Sequence, residues 1–294
     1  MTSLTATAAS DLFRRAPDRY LDVDAGAAAC WSVGSGPDVL FVHGWPVSGA
    51  TFRLLLPHLV DHVTCHVIDL PGAGSSRFDD DTPLSVEGHF STVRRCVDLL
   101  DLDEVAVVGH DSGGMIARHA LAGDPRLRAM GLINTEQPSG LGWRFKMFLA
   151  GRHVPGFAGA LGWAAGKPAI RRNKFILGDA FADRSLLDGE FDEFFLQPLR
   201  QRPERLRAAV RLLKTFDAAH VSELASVHAN IDVPVQMVWG DQDPFFPLAS
   251  AEQMVSTFTN AALEVIEGAG LFSHEERPAE VAAALLPVLA ATRP

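Results

Sequence analysis

Short apolar runs alternate with longer amphipathic stretches along most of this chain, and that alternation constrains the fold more than any other feature. A strand covered on both faces reads as a continuous apolar run, and two parallel strands need a long crossover, usually a helix, between them. The runs predict strands at 20–23, 27–33, 38–42, 63–69, 104–109, 129–134, 233–240 and 262–266. Apolar residues at helical spacing predict helices at 50–60, 85–100, 113–122, 248–258 and 277–290. The expected class is α/β, an eight-stranded, mostly parallel sheet flanked by helices on both faces.

Between Thr135 and Asn230 the alternation stops and the sequence turns helical, with eight of the 18 phenylalanines falling between Phe145 and Phe195. This predicts a core made of residues 1–134 and 231–294, with a helical cap inserted at 135–230. Charge follows the same division. Residues 141–216 hold 14 Lys or Arg against 7 Asp or Glu, and the rest of the chain holds 12 against 29. A basic helix face drawn to an acidic core is the commoner use of such charge. The alternative is that Arg171, Arg172 and Lys174 attract an anionic substrate to a cleft below the cap.

A formal charge of −10 is the wrong sign for neutralising a phosphate backbone, so no nucleic-acid partner is expected. Cys30, Cys65 and Cys96 are odd in number and lack metal-ligand spacing, which fits a reducing, cytoplasmic setting and calls for no metal. Uncharged stretches such as 154–166 and 281–292 fall short of the ~20 residues that span a bilayer. The opening MTSLTATAASDLFRR has no leader pattern. The expected partner is a small-molecule substrate, with no membrane and no cofactor.

Residues 105–120, VAVVGHDSGGMIARHA, read as an apolar strand, a tight turn and a helix. In a nucleophile elbow the central residue sits in a strained turn that only small residues two positions before and after allow. Gly109 and Gly113 centre that frame on Asp111. Centring it on Ser112 would put His110 at a position that needs a small side chain. A carboxylate at a helix N-terminus is favoured in its charged form by ~0.3–1 kcal/mol, so Asp111 is expected to be an ionised nucleophile.

With that elbow, the segments VLFVHGWP (39–46), VIDLPGAGSS (67–76), VWGDQDPFFP (238–247) and EGAGLFSHEERP (267–278) occur in an order that resembles the α/β-hydrolase fold. Within it the chain is similar to the aspartate-nucleophile branch of epoxide hydrolases and haloalkane dehalogenases. The resemblance implies an oxyanion hole from the backbone N–H groups of Trp45 and Ser112. It also implies an orienting acid at Asp243, with Asp241 as runner-up and Glu136 as the alternative used by some dehalogenases. His43, His110, Asp69, Gly72 and Gly74 are expected to support loops.

The family's base histidine falls at Leu271, seven residues before Pro278. Leucine cannot deprotonate water, and losing a general base typically slows a reaction by ~10²–10⁴-fold. His274 lies three residues on and would share a helical face with position 271, which makes it the substitute base to test. The single tyrosine, Tyr20, lies outside the cap, whereas similar epoxide hydrolases use two cap tyrosines. A proton would then have to come from His153 or His220. Where dehalogenases place a tryptophan after the nucleophile this chain has Ser112, leaving Trp45, Trp143 or Trp163 to hold a halide.

Three readings follow. The leading one is a cofactor-independent hydrolase that attacks a small or medium apolar alkyl halide, epoxide or ester-like substrate through Asp111. The second is a non-hydrolytic enzyme or ligand-binding protein on the same fold, motivated by Leu271. The third is a serine esterase using Ser112.

Overall fold

The apolar runs assemble into a single eight-stranded sheet in the computed structural model, which describes residues 4–291. Its strands are β1 (Arg19–Val23), β2 (Gly26–Gly34), β3 (Asp38–Val42), β4 (Thr64–Asp69), β5 (Val105–His110), β6 (Leu127–Ile133), β7 (Val235–Gly240) and β8 (Ala261–Ile266). Each lies within two residues of its expected bounds. The spatial order is β1-β2-β4-β3-β5-β6-β7-β8, with β1/β2 and β2/β4 antiparallel and the other pairs parallel. Strands β5 and β6 are buried along their whole length, which is why their sequences are apolar without alternation.

After β3 the chain runs outward to β4, then returns to lay β5 on the other side of β3. The loops leaving the carboxyl ends of β3 and β5 therefore diverge, and this is where open α/β sheets bind ligands. Helices Val86–Leu99, Ser112–Leu121, Leu248–Val255 and Pro278–Leu289 match four of the five expected ones. The fifth, at 50–60, is instead two short 3₁₀ turns, Gly49–Phe52 and Leu56–His58. Pro57 sits there without an N–H, and a proline within the expected helix would have removed one of its hydrogen bonds. A helix not anticipated, Ala6–Arg14, is capped by Thr5 and packs Phe13 against Trp31 with ring centres 5.0 Å apart.

Between β6 and β7 the described residues form helices and turns only, including Trp143–Gly151, Phe157–Ala165 and Pro203–Thr215. This insertion is tied to the sheet by specific contacts. Trp45 Nε1 donates to the Ala209 carbonyl at 2.8 Å, and Arg205 donates to the Ser76 carbonyl at 2.8 Å. Buried Arg53 pairs with Glu275 at 2.7 Å and with Glu190 of the insertion at 2.8 Å. The insertion's own arginines go against the alternative reading of its charge: Arg171 and Arg172 are engaged by Asp188, and Arg171 also by Asp192, so they are not a free anion-attracting cluster. Among the described residues no helix is long and apolar enough to cross a membrane.

Candidate active site

Asp111 ends β5 and precedes helix Ser112–Leu121, with φ of 52° and ψ of −138°, a strained conformation for any side chain but glycine. The turn closes because its neighbours lack side chains. A Cβ on Gly109 would meet Gly114 Cα at 2.5 Å, and one on Gly113 would meet the Val42 carbonyl oxygen at 2.2 Å. The loop after β3 comes equally close. A Cβ on Gly44 would lie 2.4 Å from Asp111 Oδ2, so only glycine there lets the Trp45 N–H reach that oxygen, at 2.8 Å. The Ser112 N–H is a second backbone donor to the same carboxylate.

These two donors hold the Asp111 carboxyl group down, but burial and the nearby Glu136 charge outweigh them and raise it well above the ordinary carboxylate range. The expectation that the helix N-terminus alone keeps Asp111 ionised is thereby corrected: water exclusion acts more strongly than the helix dipole. Glu136 is fully buried and also raised, chiefly by burial. Its Oε2 lies 3.0 Å from Thr135 Oγ1, and its Oε1 has no partner among the described residues. Two buried carboxyl groups that interact in this way titrate as a pair.

Arg118 braces the floor of the site from within helix Ser112–Leu121. Its guanidinium is entirely buried and donates to the Gly114 carbonyl, Thr135 Oγ1 and the Glu136 carbonyl at 3.0, 2.9 and 2.8 Å, with His228 Nε2 at 3.0 Å. Thr135 in turn donates to the Asp111 carbonyl at 2.7 Å. Burial lowers the Arg118 group to about 10, which leaves it charged at neutral pH.

Asp111 and Glu136 lie on the wall of an apolar cavity of about 150 Å³ between sheet and insertion. A cavity of that size is large enough for a ligand such as benzene. Its wall includes Trp45 and Leu271 from the core, and Phe145, Leu177, Phe195 and Phe216 from the insertion. Leu271 thus stands on the cavity wall where the resemblance places a histidine.

The other expected site residues are distributed differently. Asp243 is buried off the cavity wall, accepting from Asn134 Nδ2 at 2.8 Å and from the Phe245 and Phe246 N–H groups at 2.8 and 3.1 Å. Burial pushes it up to about 7. Asp241 accepts from the Gly268 N–H at 2.7 Å. The substitute-base expectation for His274 is corrected by its position. Helix Ser273–Glu276 begins only after Phe272, so position 274 turns inward, its Nε2 2.8 Å from Thr51 Oγ1 and its ring 4.4 Å from that of His110. It is not on the cavity wall, and burial holds it neutral.

His110 donates to the Leu271 carbonyl at 3.1 Å. His43 donates to the Gly44 carbonyl at 2.8 Å and accepts from the Leu70 N–H at 3.0 Å. Asp69 accepts from the Gly49 and Ser75 N–H groups at 2.7 and 2.6 Å. All three brace loops around the site. Trp143, Trp163 and His153 face solvent, and His220 pairs with Glu87 at 3.1 Å, so none of them can serve a ligand in this cavity. Sequence reasoning missed Arg118, Asn134 and Thr135, which carry no motif and become recognisable only by their contacts.

Residues 37–278 match the family described as alpha/beta hydrolase fold. A pimeloyl-[acyl-carrier protein] methyl ester esterase from Stenotrophomonas maltophilia is 36% identical over 100 residues, covering 34% of this chain and 36% of that protein. The match therefore spans about a third of the length of that relative. An α/β-hydrolase fold protein from Burkholderia ambifaria superimposes with a TM-score of 0.76 at 23% identity, covering 92% of this chain and 97% of that one. The epoxide hydrolase CorEH superimposes with a TM-score of 0.77 at 20% identity, covering 92% and 98%. A family match that runs unbroken from β3 through the elbow to the loop after β8 takes in the architecture that builds the site, and the chain belongs to the α/β-hydrolase fold family.

Proposed function

We propose that the protein captures a small apolar electrophile through Asp111, forming a covalent ester in the cavity. The observation that carries this reading is the Asp111 carboxylate at the centre of a strained elbow, with Oδ2 held 2.8 Å from the Trp45 N–H. The ionised carboxylate attacks the electrophilic carbon, and the bond from that carbon to halide or oxygen breaks, with its electron pair leaving on the departing group. Trp45 and Ser112 N–H groups are then placed for the oxyanion that forms when water attacks the ester carbonyl. Alkyl halides and epoxides fit this step and the apolar wall; an activated ester, in keeping with the esterase relative, would instead be attacked at its acyl carbon, expelling alkoxide and leaving a mixed anhydride on Asp111.

Water activation is the weak step, because Leu271 offers no base and His274 lies behind His110. The ester is therefore expected to outlast its formation. Incubation with a panel of the three substrate classes, followed by intact mass measurement and peptide mapping, tests this: a persistent adduct on Asp111, absent in Asp111→Asn, is expected. An unchanged rate in Asp111→Asn would sink the proposal. Product without adduct would require a water-activating group and make Glu136 the next residue to replace.

A second reading, a ligand-binding or non-hydrolytic protein, draws on the same Leu271 side chain on the cavity wall. Neither adduct nor product, with a ligand retained in the cavity, would favour it. The Ser112 reading has less support, since no histidine hydrogen-bonds Ser112 among the described residues. Organophosphonate labelling of Ser112 would revive it.

A further inference from the structure

Six large apolar side chains stand out into solvent among the described residues, and all lie at 143–176 in the insertion. Trp143 is 66% exposed, Phe175 55% and Met147 49%. The same stretch is charged in one sense only. Residues 141–178 contain seven Lys or Arg and no Asp or Glu, in a chain whose net charge is −10.

Part of this surface is continuous. Trp143 and Met147 are four residues apart on helix Trp143–Gly151, and so share a face. The Arg144 guanidinium lies 5.5 Å from the rings of both Trp143 and Phe175, and Lys174 Nζ lies 5.1 Å from the Phe175 ring. Next to Phe175, Ile176 is exposed and also lines the cavity. The apolar patch thus reaches the cavity wall.

We propose that this face docks on an anionic lipid surface, with Trp143, Met147 and Phe175 entering the interface and Lys146 and Lys174 meeting the headgroups. Aromatic side chains beside lysines are the composition that membrane–water interfaces favour. Charge selects the surface. Each basic side chain near an anionic leaflet strengthens binding, while the acidic remainder of the chain is repelled and turned away. Screening confines these effects to about 8 Å at physiological salt, so the local face decides and not the net charge. An apolar ligand dissolved in the bilayer would then meet the cavity directly. The expectation of no membrane contact rested on the lack of a spanning segment, and a docked face needs none. Docking holds whatever chemistry Asp111 performs.

The test is cosedimentation of the full chain with phosphatidylcholine vesicles with and without phosphatidylserine, alongside quenching of tryptophan fluorescence by brominated lipid. Binding that requires phosphatidylserine, weakens with salt and quenches the exposed tryptophans is expected. Lys146→Glu with Lys174→Glu, or Trp143→Ala with Phe175→Ala, should each weaken binding at least about tenfold. Circular dichroism and Asp111 labelling should stay unchanged. No binding, equal binding to both vesicles, or variants that bind like the parent would overturn the proposal. A concentration-dependent dimer abolished by Trp143→Ala would also overturn it, giving the face to a second copy of the chain.

Discussion

Asn134 donates its Nδ2 hydrogen to Asp243 Oδ2 across 2.8 Å, and its Oδ1 accepts from Ser273 Oγ at 2.8 Å and from the Gly240 N–H at 3.1 Å. The carboxylate that the resemblance would have orient an imidazole is therefore held in its loop by an amide, while Leu271 lies on the cavity wall. Leu271→His puts an imidazole on the cavity wall that holds Asp111. The Asp111 adduct should then break down at least about 100-fold faster, measured as adduct lifetime against product release. Labelling at Asp111 with no release would mean that Asn134 keeps Asp243 from the new ring.

Gly44→Ala places a Cβ where Asp111 Oδ2 and Cβ now stand, 2.4 Å from each. The loop after β3 must retreat and take the Trp45 N–H with it. Losing one such donor slows comparable reactions by about 10²–10³-fold, so breakdown of the Asp111 ester, followed in the Leu271→His background, should fall by that order with far-ultraviolet circular dichroism unchanged.

Ionisation of Asp111 opposes folding, because burial and Glu136 raise its carboxyl group in the folded chain. The unfolded chain gives up that proton near pH 4, and the folded chain holds it to higher pH. Stability is thus lost as pH rises from the unfolded value to the folded one, and the loss is complete above it. Asp111→Asn should melt at a higher temperature than the parent at pH 8, with the gap closing below about pH 4. A variant that melts lower at pH 8 would contradict this. In the parent, adduct formation should speed up as pH rises, since only the ionised carboxylate attacks.

Arg53→Met leaves Glu275 buried without its cation, since the two side chains are only 3% and 4% exposed and 2.7 Å apart. Breaking such a buried pair costs about 3–5 kcal/mol, which urea denaturation would read as a lower midpoint. Arg53→Met with Glu275→Leu should recover much of the loss.

What the sequence made legible is what local rules enforce. The strands show as apolar runs because β5 and β6 have no exposed face. The elbow shows because Gly109 and Gly113 each meet a neighbouring backbone atom within 2.5 Å of where a Cβ would stand. His274 was misplaced because helical spacing assumes a continuous helix from 271, whereas the helix starts at Ser273 and aims the imidazole at Thr51. Asn134 and Arg118 were invisible for a different reason. The contacts that reveal them cross between separate segments: Asp243 and Ser273 for Asn134, and Thr135, Glu136 and His228 for Arg118.

Arg118 joins the elbow helix to the residues that follow β6, bonding to Gly114 on one side and to Thr135 and Glu136 on the other. The backbones of Asp111 and Glu136 are thereby riveted together, and neither can shift without breaking buried hydrogen bonds. Phe145, Leu177 and Phe216 of the insertion line the same cavity, so the shape a ligand meets beside these two residues is drawn from a part of the chain that their buried hydrogen bonds do not include.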